Sequence, residues 1–180
     1  MPALFELDQI SKLPLFAQAL IASRIARRAV FHLPDAFPEN DRAALFDICD
    51  RLDALCRDGG ASMKKMKPLY DEVWKFRGGP AGEAAEALYW AVDATASAEA
   101  ANDFPVDATC IRDAENALSS ASRAVGLSPL QVRLFAAADL DQLRFACDEG
   151  NIGFYDVLGS HVIGRMAPVR PPDDLREGWK

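Results

Sequence analysis

Apolar residues recur at spacings of three and four along most of this chain, and one run, LPLFAQALIASRIARRAVFHL from Leu13 to Leu33, is apolar on nearly every side. At about 100° per residue, Ala19, Ala22, Ala26 and Ala29 share one side, a seam of small residues that lets a neighbouring helix approach closely. Leu13, Leu20 and Phe31 lie opposite, at nearly the angle of Arg24, with Arg27 and Arg28 beside it. Pro14 falls in the first turn, where a missing N–H breaks no hydrogen bond. The spacing predicts a helix over 13–33 that Pro34 ends.

The same reading gives a series of further helices. Residues 41–57 place Leu45, Ile48, Cys49, Leu52, Leu55 and Cys56 on one face and Asp47, Asp50 and Arg51 on the other, with Asn40 or Asp41 as the cap and Asp58-Gly59-Gly60 as the stop. A short helix over 68–76, begun at Pro68, brings together Leu69, Val73 and Phe76. A second Ala-rich helix over 82–102 carries Leu88, Tyr89, Trp90 and Val92 in different directions, as a helix enclosed by neighbours does. Asp107 is placed to cap a helix over 108–125 whose core face runs through Cys110, Ile111, Ala114, Ala117, Leu118, Ala121 and Val125, with Gly126 as its stop. Ser128-Pro129-Leu130-Gln131 is a capping-box pattern that opens a helix reaching Cys147 or Asp148. That helix is expected to bury some combination of Leu130, Leu134, Phe135, Ala138, Phe145 and Ala146, with Gly150 following as its stop. Residues 151–163 read as a packed loop with a helical turn.

No stretch alternates with period two, so the expected fold is all-α: a single compact bundle of about five or six helices with the two Ala-rich helices, 13–33 and 82–102, at its centre. The bundle domain is drawn over 1–165, with Leu4 and Phe5 of the lead-in packing on it. Residues 166–180, with Pro168, Pro171 and Pro172, form a loosely ordered tail in which Trp179 keeps a docking role open. Val92-Asp93-Ala94-Thr95 recurs fourteen residues on, too short a period for a helical repeat array.

Charge narrows the function classes. With 20 Lys and Arg against 27 Asp and Glu the net charge is −7, which repels a phosphate backbone and makes a basic protein partner the easier one. The first residues lack a positive segment followed by an apolar one, so no signal peptide is read. Three arginines in the middle of 13–33 would each cost about 2.5–3.5 kcal/mol in a bilayer, so no membrane span is expected and the cytoplasm is the expected location. The four cysteines form no CxxC pair, and Cys49 and Cys56 stand about 10 Å apart along one helix, beyond disulfide reach.

Candidate chemistry is sparse. Neither histidine sits in a Glu-x-x-His pattern, and two cannot supply a three-histidine zinc site, so no metal and no cofactor are expected. No G-x-S-x-G elbow is present, and FRGGPAGE has neither phosphate-loop spacing. What stands out is Arg24, Arg27 and Arg28 within about 100° of arc on a face that must pack. A buried guanidinium needs a partner. Carboxylates of neighbouring helices, such as Asp50, Asp53, Asp93 or Glu86, can supply it. Alternatively the three arginines, with His32 one turn on, form an anion pocket.

Two functions are carried forward. The first is a non-enzymatic, acidic helical protein that binds a protein partner, in the manner of adaptor, regulatory or immunity-type proteins, through acid-rich faces around Asp47 and Asp50. The alternative is a small-anion or small-molecule binding protein, or an enzyme, whose inter-helix site uses Arg24, Arg27, Arg28 and His32 together with Tyr89 or Trp90. Neither nucleic acid nor membrane is an expected partner, and a homo-oligomer is left open.

Overall fold

The structure, a computed structural model, describes residues 7–101, 109–126 and 129–169. In chain order its helices are α1 (Leu7–Ile10), α2 (Leu15–Phe31), α3 (Glu39–Asp58), α4 (Met63–Trp74), α5 (Gly82–Ala100), α6 (Thr109–Val125), α7 (Pro129–Gly150) and α8 (Gly159–Ile163). The chain is an all-α bundle: six helices span three turns or more, α1 and α8 are short, and the described residues hold no strand.

α2 is central because its Ala seam lets helices close on it from several sides. Ala19, Ala22, Ala26 and Ala29 are all fully buried, and α3, α5, α6 and α7 pack around it. α5 repeats the device with Ala84, Ala85, Ala87, Ala91, Ala94 and Ala98, and it shares the most extensive interface in the bundle with α6. Large side chains fill what the alanines leave. Phe16, Ile21, Ile25, Leu45, Leu52, Met66 and Leu88 are shut off from solvent, each burial stabilising by about 1.5–3 kcal/mol.

The ends of α2 are held by tertiary contacts, since Pro14 offers no capping side chain. The N–H of Leu15 donates to the carbonyl of Phe154 at 2.9 Å, and Gln18 Nε2 donates to Leu13 O at 2.9 Å. At the other end Arg42 donates to Val30 O, a carbonyl of the last turn, at 3.5 Å, and just past the helix to Leu33 O at 3.2 Å and Pro34 O at 2.7 Å.

Four local expectations need correction. Pro38, not Asn40 or Asp41, precedes α3, and no side chain caps it. α4 starts at Met63, so Lys64, Lys65 and Lys67 are helical and Pro68 lies inside the helix. Its ring faces solvent, where water takes the carbonyl that a missing N–H abandons. α7 includes Gly150, and the left-handed residue after it is Asn151 (φ 50°), the residue next to Gly in tolerating that conformation. Its core face runs through Val132, Ala136, Leu140, Leu143, Ala146 and Cys147, which leaves Ala138 exposed and Phe145 62% exposed.

Other expectations stand as read. Gly59 and Gly60 end α3 with φ of 75° and 79°, Gly126 follows α6 at 65°, and α8 is the helical turn of the 151–163 loop. The lead-in residues Leu4 and Phe5, the Asp107 and Ser128 caps, the side chains of Cys110, Ile111, Leu130, Leu134 and Phe135, and the tail from 170 lie outside the described residues. Among the described residues no helix is long and apolar enough to cross a membrane.

Candidate functional site

Arg27 and Arg28 stand three and four residues after Arg24, within one helical turn, yet the structure divides the three between two neighbours. Arg24 is 6% exposed. Its Nη2 donates to Asp139 Oδ1 at 2.8 Å and to the Ala167 carbonyl at 2.6 Å. Arg28 Nη1 donates to the other oxygen of the same carboxylate, Asp139 Oδ2, at 2.5 Å. Asp139 of α7 therefore bridges two guanidinium groups. Burial by itself would push its carboxyl up, but Arg28 and Arg24 outweigh that and hold it below the usual carboxylate range.

Arg27 turns to α3 instead, its Nη2 donating to Asp50 Oδ1 and Asp53 Oδ2, both at 2.8 Å. Ser23 Oγ donates to Asp53 Oδ1 at 2.7 Å. Here burial prevails, and Asp53 is raised although Arg27 and Ser23 oppose it. Next to them the Cys49 thiol is pushed up to about 12 by burial, so it stays protonated and acts as a small apolar group. His32, the C-cap of α2, is half-buried and makes no side-chain hydrogen bond or ion pair among the described residues; burial lowers its pKa.

The three arginines thus meet three aspartates. Of the carboxylates named from sequence, Asp50 and Asp53 take part, whereas Asp93 accepts from Tyr70 and Glu86 pairs with Arg77. Tyr89 and Trp90 are not brought to the arginines: Tyr89 stacks at an angle with Tyr70 and Trp90 and lies under the Arg77 guanidinium. One buried donor of the arginine cluster has no partner among the described residues, Arg24 Nε. Sequence reasoning missed Asp139. Its signal was present, since Asp139 stands between Ala136, Leu140 and Leu143 on an apolar stripe, as Arg24 does on α2.

A second buried polar group joins α4, α5 and α6. Tyr70 Oη donates to Asp93 Oδ1 at 2.7 Å, and Ser97 Oγ stands 3.5 Å from Asp113 Oδ2. Asp113 is fully buried, and its Oδ1 has no partner among the described residues. Burial and the Asp93 charge push it up to about 6. A carboxyl whose folded pKa exceeds its unfolded one binds its proton more tightly in the native state, so its contribution is complete below the unfolded value and is lost as pH rises to about 6. Asp113→Asn, which cannot ionise, should therefore be worth about 2–3 kcal/mol more to stability at pH 8 than at pH 3. Urea melts at the two pH values check this; equal shifts at both would refute it.

A third feature is exposed. In the α7–α8 loop Phe154, Tyr155 and Val157 are 45%, 52% and 37% exposed, with the two rings edge to face at 5.1 Å. The backbone beneath them is fixed. Phe154 O accepts from Leu15 N, Gly153 N donates to Asp156 Oδ2 at 2.9 Å, and Leu158 N donates to Cys56 O at 3.0 Å. Val157 also packs against Gly59, where a Cβ would come within 2.9 Å of it. Acids flank the loop: Asp156 within it, Asp148 beside Phe154, and Asp58 and Glu99 at the Gly59-Gly60 turn.

Among the described residues no group of three or more His, Cys, Asp or Glu side chains is arranged to hold a metal ion. No protein-family model matches this chain, and no curated protein or solved structure matches it either.

Proposed function

We propose that this chain is a cytoplasmic, non-enzymatic helical protein that binds a basic protein partner, as adaptor, regulatory or immunity-type proteins do, and that the α7–α8 loop is its contact surface. The observation that carries this reading is the pairing of exposed aromatic side chains with a hydrogen-bonded, pre-set backbone. Rings held in this way lose little conformational freedom on binding, and aromatic anchors dominate interface energies. Glu99, Asp148 and Asp156 supply an acidic rim, and the net charge of −7 steers a basic partner toward it. Lys12 and Arg144, near Phe154 at the α2 end of the loop, limit the acidic rim on that side.

The test is comparative capture from native extract with the wild type and with Phe154→Ser/Tyr155→Ser as baits. Both residues are exposed, so the variant keeps its helical circular dichroism, and a specific partner weakens about 30-fold or more per anchor lost. A partner retained equally by both baits sinks the proposal.

The alternative, a small-anion site at Arg24, Arg27, Arg28 and His32, draws support from the unpartnered Arg24 Nε. Against it, every one of the three guanidinium groups already contacts an aspartate.

A further inference from the structure

The stretch SMKKMKPLYDEVWKFR concentrates lysines in an acidic chain, and because α4 begins at Met63 they ride on its first two turns beside the end of α3. Between these helices lies an open cleft of about 430 Å³, within the range of about 300–1,000 Å³ that small-molecule sites occupy. Ala54, Leu55 and Leu69 give it an apolar floor, and Pro68 walls one side. Leu69 is almost fully buried.

The rim carries the charge. The two acids of α3 near the cleft and Glu72 are already engaged: Asp58 accepts from Arg57 at 2.9 and 2.6 Å, and Asp47 and Glu72 accept from Arg51 Nη1 at 3.4 and 2.9 Å. Arg51 keeps its Nε and Nη2 without partners among the described residues. The Lys65 ammonium makes no hydrogen bond or ion pair there either. It sits over the Gly59-Gly60 turn, 3.0 Å from where a Cβ on Gly60 would be. That turn offers no competing anion site, since Gly60 N donates to Glu99 and Gly59 N to Leu55 O.

We propose that this cleft binds a small amphipathic carboxylate, its apolar body on Ala54, Leu55 and Leu69 and its carboxylate on the Lys65 ammonium, with Arg51 as second donor. An unneutralised ammonium beside an apolar floor selects for a ligand that joins one negative charge to a hydrocarbon. A compact inorganic anion gains only the charge, and a neutral hydrocarbon only the floor. The cleft adjoins the α7–α8 loop surface at the Gly59-Gly60 turn, where Asp58 and Gly59 line it and Val157 packs on Gly59, but its ligand and its test do not depend on that surface.

Calorimetric titration of the full chain with octanoate, octanol and inorganic phosphate tests the assignment. Octanoate should bind one per chain, with octanol and phosphate each weaker by about fivefold or more. Lys65→Ala, a change at an exposed position, should weaken octanoate about fivefold, and Ala54→Trp should fill the floor and abolish binding. No octanoate binding at millimolar concentration overturns the proposal. So does octanol or phosphate binding as tightly as octanoate, or octanoate affinity unchanged in Lys65→Ala.

Discussion

Asp139→Ala should cost about 3–5 kcal/mol of stability, the penalty for leaving buried charge without its counter-ion. The substitution strands two guanidinium groups at once, because Arg24 and Arg28 share this carboxylate and their side chains are only 8% and 16% exposed. Asp139→Asn keeps an acceptor oxygen but no charge and should fall between the two. The pH profile gives an independent check. Since Arg28 and Arg24 outweigh burial and hold Asp139 below the usual range, the unfolded chain binds its proton more readily than the native one. The Asp139 contribution is therefore whole above the unfolded value of about 4 and is lost as pH falls through the lower folded value. Chemical denaturation from pH 7 into acid should show this loss in the wild type, and a variant lacking Asp139 should lose less over the same interval. A thermal melt with citrate or phosphate bears on the alternative function: a rise in the wild-type melting temperature that Arg28→Met removes supports an anion pocket at the arginines, and an unchanged melt counts against it.

Ala22→Leu and Ala26→Leu should each cost about 1–3 kcal/mol, and the double variant is expected to approach the whole stability of an ordinary domain. Substituting a larger apolar residue is normally read as strengthening a core. Here it does the reverse, because both positions are fully buried on the seam where neighbouring helices close on α2. The added side chains have no void to enter, so the helices must separate and many close contacts are lost together. Equilibrium unfolding in urea measures the cost. A double variant as stable as the wild type would show that the seam is loosely packed.

Much of the bundle was legible because helical periodicity is a local property. The α2 arginines, the Gly59-Gly60 and Gly126 stops and the enclosure of both Ala-rich helices follow from residues within a few turns of one another. What escaped was of two kinds. The face of α7 could not be phased, since LQVRLFAAADLDQLRFAC places apolar residues at almost every angle and several rotations of the wheel score alike. Phe145 reads as core in some of those rotations and is exposed. The partner of Arg24 and Arg28 was hidden for a different reason. Asp139 lies 115 and 111 residues away from them, and periodicity carries no information about which distant carboxylate arrives. A lone Asp on an apolar stripe, at Asp139 and again at Asp113, was the available sign that a buried polar partner exists. The 151–163 loop reads as packed from its apolar content, yet Phe154, Tyr155 and Val157 are exposed, and two of the contacts that pin its backbone come from Leu15 and Cys56, far off in sequence.

The clamp on Arg24 also sets an order of events during synthesis. α2 is made early, yet its buried guanidinium is completed by Asp139 and by the Ala167 carbonyl, 143 residues downstream. While the chain is still on the ribosome, α2, α3 and α5 can begin to gather around the Ala seam and Arg27 can find Asp50 and Asp53, but Arg24 and Arg28 have to stay hydrated until α7 and the segment after α8 emerge. Closure of the bundle is thus a late, long-range step, with the slow kinetics that distant contacts impose. Ribosome-stalled chains ending before Asp139 would be the species that expose this half-built core to chaperones.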